Sequence, residues 1–206
     1  MFRDSLINEI LSEPDAQLIL NYAQSSLKNE ASKRKNFYKI IEEDDKAEFI
    51  NGDIIFQSPA RLIHTVVVKN ILKSLDNHVL ENNLGFVGSE KLLVTLTRND
   101  YEPDIVFFKK DKSKYFKQDQ IQFPAPDFVV EVLSKSTQHI DRGVKFKDYA
   151  SHNIEEYWII DADNKSVEQY LLSEGQYSLK KRWKSGIVKS DVVKGFEIKL
   201  NNIFNW

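Results

Sequence analysis

Two apolar, strand-like segments of this 206-residue chain each carry an acidic residue that a fold has to accommodate in its interior. Asp104 lies in segment 101–108, and Glu131 lies in segment 126–134. A carboxylate is costly to bury unless it is protonated, paired with a cation or bound to a metal. If the two segments are neighbouring strands, their carboxylates can share one ion. The pattern therefore predicts a sheet whose strands bring together a divalent-metal site.

The composition restricts which metal could bind. The chain has no cysteine, so a disulfide framework and a zinc ribbon are excluded, and a metal must be held by oxygen or histidine. Magnesium accepts one or two carboxylates, a backbone carbonyl and several waters. We therefore predict Mg²⁺ or Mn²⁺, held by Asp104, Glu131 and the backbone carbonyl of Val132.

A lysine is predicted to lie beside these acids. Residues 138–151 have helical character, and Asp141, Lys145 and Tyr149 are spaced i, i+4 and i+8, so they share one helix face. The alternative is a solvated stripe with one ordinary ion pair. A lysine close to a metal site could orient or activate water and stabilise developing charge, a combination typical of metal-dependent phosphodiesterases.

The remaining pattern predicts an α/β (or α+β) fold with a mixed sheet and helices packed on it. Two helices are expected in 3–35, and the polar stretch 29–36 is interpreted as a linker that separates an N-terminal helical extension, 1–36, from a main domain, 37–206. The dipeptide Asn51-Gly52 predicts a hairpin of 47–50 with 53–56. A long amphipathic helix should follow Ser58-Pro59 and end near Asn82-Asn83. Further strands are predicted at 85–88, 91–96, 102–108, 128–133, 157–161, 167–172, 177–183, 187–188 and 196–200.

Several classes of protein are disfavoured. The net charge of −2 argues against a strongly basic domain, although lysines cluster in 109–117 and 180–184 and could form a basic surface. No apolar window is long enough to span a membrane and no leader is evident, so a cytoplasmic protein is predicted. There is no glycine-rich phosphate motif, so no nucleotide cofactor is expected.

An ordered string of short motifs adds a family resemblance. It comprises Pro103-Asp104, Glu131-Val132-Leu133-Ser134, Ser136-Thr137, Asp141, Lys145, Tyr149 and the run 156–161. In these motifs the chain resembles the Uma-two family of restriction endonucleases, within the PD-(D/E)XK nuclease superfamily, over roughly residues 45 to 180. The resemblance implies a restriction-endonuclease-like core with a mixed central sheet, magnesium-dependent hydrolysis of DNA, and homodimerisation.

The same resemblance assigns roles to residues. It makes Asp104 and Glu131 the metal-binding acids, Glu48 the early glutamate that completes such sites, and His64 the histidine near the start of the long helix. The chain departs from the superfamily pattern at Leu133, where a lysine is usual, so Lys145 is expected to replace it. Glu48 could instead lie on an exposed hairpin face, and both His64 and Tyr149 could simply be core residues.

A rival acid and two rival functions remain open. Asp127 shares a strand face with Glu131 but would lie roughly 13 Å away at about 3.3 Å per residue, so we expect it to begin the strand rather than bind the ion. The chain could be a catalytically inactive nuclease-like dimeric module for binding or assembly, given Leu133 and the apolar faces of the N-terminal helices. It could also be a nuclease for RNA or branched DNA.

Overall fold

The computed structural model describes residues 2–42 and 45–205, and the side chains from residue 5 onward. Its helices are α1 Phe2–Ser12, α2 Ala16–Ile40, α3 Leu62–Glu81, α4 Lys110–Ser113, α5 Gln138–Asp141, α6 Val144–Ser151 and α7 Leu200–Phe204. Its strands are β1 Ala47–Ile50, β2 Asp53–Phe56, β3 Gly85–Ser89, β4 Leu93–Thr95, β5 Asp100–Tyr101, β6 Ile105–Lys109, β7 Gln122–Phe123, β8 Phe128–Val132, β9 Glu156–Asp161, β10 Ser166–Ser173, β11 Gln176–Trp183, β12 Ile187–Lys189 and β13 Glu197–Lys199.

The central sheet has six strands in the order β11-β10-β9-β8-β6-β3. β8 and β9 are parallel, while the other neighbours are antiparallel. A second sheet has the order β2-β1-β5-β4-β7, and β12 pairs with β13 alone. The predicted α/β architecture, with mixed sheets flanked by helices and helices at the N-terminus, is confirmed.

The core lies on both faces of the central sheet. On one face Ile71 and Leu75 of α3 pack with Phe128 and Val130 of β8, as the apolar stripe of α3 predicts. On the other face Val129 packs in the cluster that contains Tyr149 of α6. Because side chains alternate along a strand, Glu131 lies on the same face as Val129 and is directed toward α6.

The predicted hairpin is confirmed. β1 pairs with β2 from Ala47 opposite Phe56 to Ile50 opposite Asp53. Asn51 and Gly52 both have positive φ, 52° and 91°, as a type I′ turn requires. The hairpin places Glu48 on β1, whose other neighbour is β5.

Three elements near the cavity differ from their predictions. The strand expected at 102–108 begins only at Ile105, in the central sheet, and β5 just before it belongs to the second sheet. Pro103, between the two strands, lacks the N–H that a continuous ladder needs. The helix expected at 138–151 is interrupted at Gly143, where a β-carbon would lie 2.5 Å from the His139 carbonyl oxygen. The long helix begins at Leu62, and residues 58–61 line a cavity instead. The first change places Asp104 at the junction of the two sheets.

The interpretation of 29–36 as a linker is wrong, because this stretch lies inside α2. Polar side chains of this stretch attach the helix to the domain. Arg34 makes a bidentate ion pair with Asp100, at 2.6 and 2.8 Å, and Glu30 pairs with Arg98 at 2.7 Å. One turn further, Phe37 is buried against Phe49. The boundary between residues 36 and 37 stays a prediction.

Candidate functional site

The two acids singled out in the sequence meet at the junction of the sheets. β6 runs antiparallel to β8 with Ile105 opposite Val130, so Asp104 and Glu131 are adjacent. The backbone N–H of Val132 donates to Asp104 Oδ2 at 2.8 Å, and that of Asp104 lies 3.4 Å from Glu131 Oε2. Both acids are buried, being 5% and 4% exposed.

Lys145 lies in the same cluster although α5 and α6 are separate helices. Its Nζ is 2.9 Å from Glu131 Oε1, 2.9 Å from Glu48 Oε1 and 3.4 Å from Asp141 Oδ1. An ammonium group has three N–H donors, and here each has a carboxylate to face. Burial alone would lower the pKa of Lys145, but the three carboxylates outweigh it and raise that pKa well above its usual value.

Glu48 and Tyr149 support the cluster from behind. Glu48 is buried, so the alternative of an exposed hairpin position is wrong, and its Oε1 also accepts from the backbone N–H of Glu102 at 3.0 Å. The Tyr149 hydroxyl donates to Glu131 Oε1 at 2.9 Å. Both residues therefore hold Glu131 and Lys145 in place from the interior of the protein.

A cavity of about 520 Å³ opens in front of the two acids. His64, in the first turn of α3, places Nε2 3.2 Å from Asp104 Oδ2. Lys46 Nζ lies 3.7 Å from Asp104 Oδ1 and 3.3 Å from Glu90 Oε2. The cavity wall consists of residues 57–61, residues 131–137, Lys46, His64, Glu90, Asp104, Asp141 and Lys145.

Buried acids outnumber buried bases in this cluster, and the pKa values of three of the acids are shifted. Burial raises the pKa of Glu131 to about 8 and that of Asp141 to about 6, in spite of the opposing charge of Lys145. Burial would raise the pKa of Asp104 as well, but its contacts with His64, Lys46 and the Val132 N–H outweigh burial and lower it. The surroundings of Asp104 therefore favour its ionised form, whereas burial opposes ionisation of Glu131.

These residues fit a divalent ion of the magnesium type. Asp104, Glu131 and Val132 adjoin one another at the cavity wall, and the excess of buried acids is what a cation would offset. Within residues 2–42 and 45–205, no group of three or more His, Asp or Glu side chains is arranged to hold an ion. An ion with two carboxylates and one carbonyl would retain several waters, as magnesium does in proteins.

The rival acid lies elsewhere. Asp127 precedes β8, where its carboxylate accepts from the backbone N–H of Lys109 at 2.7 Å and pairs with Lys112 Nζ at 2.8 Å. These contacts tie the start of β8 to the end of β6, at the opposite end of the strand from Glu131. Two lysines of the 109–117 cluster are therefore in ion pairs, Lys112 with Asp127 and Lys109 with Glu155.

Three charged residues near the site were missed in the sequence. Glu102 is buried and accepts from the backbone N–H of Ala47 at 3.0 Å, while Lys46 and Glu90 border the cavity. Burial raises the pKa of Glu102 to about 7. Its position two residues before Asp104 was a usable signal, because alternate residues of an extended chain share a side. Lys46 and Glu90 had no comparable pattern.

Comparisons with known proteins give a family match and a shared fold. Residues 34–201 match a family model described as "Uma2: Putative restriction endonuclease". Two uncharacterised proteins of Synechocystis sp. are 27% and 28% identical over 128 and 129 residues, 61% of this chain in each case and 72% and 66% of the relatives.

The fold is shared with a solved structure, described as a "putative nuclease belonging to DUF820" from Anabaena variabilis. The TM-score is 0.69 at 19% identity, and the match covers 82% of this chain and 94% of the other. Among the described residues, every helix is too short or too polar to cross a membrane.

Proposed function

This chain belongs to the Uma2 family, and from that premise we propose that it is a metal-dependent endonuclease that hydrolyses phosphodiester bonds in DNA. The observation that carries the proposal is the convergence of Asp104, Glu131 and Lys145 at one cavity, with 2.9 Å between Lys145 Nζ and Glu131 Oε1. The family description and the nuclease-like fold support the same class of reaction.

In this proposal Asp104, Glu131 and the carbonyl of Val132 hold Mg²⁺ or Mn²⁺. When bound, the ion supplies positive charge that offsets the charge developing on a scissile phosphate. Asp104 is already ionised and its orientation is set by His64 and the Val132 N–H. A bound cation would favour the ionised form of Glu131, because its positive charge would offset the cost of burying that carboxylate.

Lys145 acts through its charge. A lysine whose pKa is raised keeps its proton, so it does not serve as a general base. It holds Glu131 and Glu48 in place and adds positive potential at the cavity wall, which stabilises negative charge on a substrate. In this role Lys145 of α6 replaces the lysine that is usual at position 133.

The direct test combines cation binding with cleavage. Purified protein is expected to nick supercoiled plasmid DNA with Mg²⁺ or Mn²⁺ and to lose this activity with a chelator. Calorimetric titration should show binding of Mn²⁺ that disappears in Asp104→Asn and persists in the matched control Asp191→Asn, whose exposed carboxylate pairs with Lys180. A protein that neither binds the cation nor cuts DNA would be the inert module, and faster cleavage of competing RNA or branched DNA would change the substrate.

Lys46 is a further cation at the cavity wall that a substrate phosphate can reach. Its side chain is 21% exposed, and its contacts with Asp104 and Glu90, at 3.7 and 3.3 Å, are longer than the two 2.9 Å contacts of Lys145. A charge-assisted hydrogen bond contributes about 1.5–3 kcal/mol, so Lys46→Met is expected to slow plasmid cleavage by about tenfold or more. Lys46→Arg should retain most of the activity and Lys184→Met, at an exposed site, all of it. Unchanged kinetics in Lys46→Met would exclude this contact.

A further inference from the structure

The N-terminal helices project from the domain as an arm, defined here as residues 5–28, with large apolar side chains in water. α2 first makes polar contacts with the domain at Glu30, so its start at Ala16 lies roughly 20 Å beyond them at about 1.5 Å per residue. The described side-chain hydrogen bonds in the arm join helix neighbours, Ser12 to Glu9 and Gln17 to Asn21. The apolar side chains exposed by more than a third are Leu6, Ile7, Leu11, Leu18, Ile19, Leu20, Tyr22 and Leu27.

This exposure is too large for a helix pair that functions alone in water. Tyr22 is 78% exposed and Leu18 68%. Together the exposed parts of the eight side chains are of the order of the ~800 Å² that each partner buries in a standard protein interface. Exposed apolar surface of this extent on one pair of helices is typical of an interaction site. The family match begins at residue 34, so the arm lies outside the part of the chain that the family explains.

The charges of the arm indicate what covers it. The end of the arm around the α1–α2 connection is acidic, with exposed Glu9, Glu13 and Asp15, and the end near the domain is basic, with exposed Lys28 and, just beyond, Lys33 and Lys35. Two copies packed antiparallel would place each acidic end against a basic end, twice over, as a two-fold axis demands. A parallel arrangement would oppose like charges.

We propose that the arm is a self-association surface that pairs with the arm of a second copy of this chain, antiparallel about a two-fold axis near Asn21 and Tyr22. In this arrangement Leu18 and Tyr22 of both copies are buried at the centre, and Lys28 lies opposite Asp15 of the second copy. The result is a four-helix interface outside the catalytic cavity. The pairing requires neither metal nor DNA, so its test is independent of the proposed nuclease function.

The experiment is sedimentation equilibrium of the full chain over a range of concentrations. We expect a species of twice the 24.0 kDa chain mass. Replacing both Leu18 and Tyr22 by glutamate should raise the dissociation constant by at least about a hundredfold, because the central apolar contacts are lost in both copies. The matched control is Leu80→Glu, at a side chain that is 66% exposed on α3. Circular dichroism should show that each variant retains its folded domain.

Exchanging the charges at positions 15 and 28 tests the antiparallel orientation of the two arms. Lys28→Glu should weaken the dimer by opposing Asp15, and Lys28→Glu combined with Asp15→Lys should restore it. A monomer at every concentration would overturn the proposal, as would a dimer that the Leu18 and Tyr22 substitutions leave intact or an assembly larger than two. Failure of the double exchange to restore association would overturn the antiparallel pairing.

Discussion

The variant Glu131→Gln is expected to lose DNA cleavage by roughly a thousandfold or more while it keeps its fold. Glutamine has the shape of glutamate and its oxygen can still accept from Lys145 and Tyr149, so the local packing is preserved. It cannot supply the negative charge that a divalent cation requires. The measurement is plasmid nicking with Mn²⁺, and the matched control is Glu197→Gln, the same change at an exposed residue that pairs with Lys189.

The stability of the variant distinguishes a loss of activity in a folded protein from a loss of folding. The pKa of Glu131 is raised from 4.5 to about 8 by burial, so the metal-free folded protein binds a proton there that the unfolded chain releases. For an acid with a raised pKa, this contribution to stability is greatest below pH 4.5 and is lost as pH rises toward 8. Metal-free Glu131→Gln should lack this loss and be at least as stable as the wild type at neutral pH. Full cleavage by Glu131→Gln would remove Glu131 from the site.

Much of the fold was predictable because local and tertiary preferences agree. Asn51-Gly52 permits the positive φ of a type I′ turn, and the apolar spacing of α3 matches the face it buries. The nearly unbroken apolar character of β8 reflects burial on both faces. The failure at 29–36 has a tertiary cause: this polar stretch resembles a linker in composition, whereas its helix is stabilised by Asp100 and Arg98, far away in the chain.

The site was partly predictable, because a buried charge needs a compensating partner. Asp104 and Glu131 stood out because each interrupts an apolar run, and the helical spacing from Asp141 identified Lys145. The structure brings these residues together with Glu48 and His64, and their roles in binding or catalysis stay predictions. Lys46 and Glu90 join the site through the junction of two sheets. That junction depends on how strands distant in the chain pair to form the two sheets, which no short-range pattern reveals.

The second large effect is expected at Glu156, a buried carboxylate remote from the cavity. Its Oε1 accepts from Trp158 Nε1 at 2.6 Å and Gln169 Nε2 at 2.8 Å. Its Oε2 accepts from Ser190 Oγ at 2.6 Å and from the backbone N–H groups of residues 191 and 192, at 3.0 and 2.9 Å. Five donors therefore converge on one side chain and attach the segment before β13 to the central sheet.

Glu156→Gln is expected to lower the free energy of unfolding by about 2–4 kcal/mol. The NH₂ group of the glutamine would replace one carboxylate oxygen, and in either orientation of the amide it would face N–H or O–H donors. Glu156→Ala should cost more, about 3–5 kcal/mol, since all five bonds to this side chain are lost. Urea unfolding measures both, with Glu155→Gln as a neighbouring control whose carboxylate is half exposed and pairs with Lys109. Equal stability of Glu156→Gln and the wild type would contradict this account. Because β9 is the parallel neighbour of β8, the destabilised variants should also lose cleavage at temperatures where the wild type remains active.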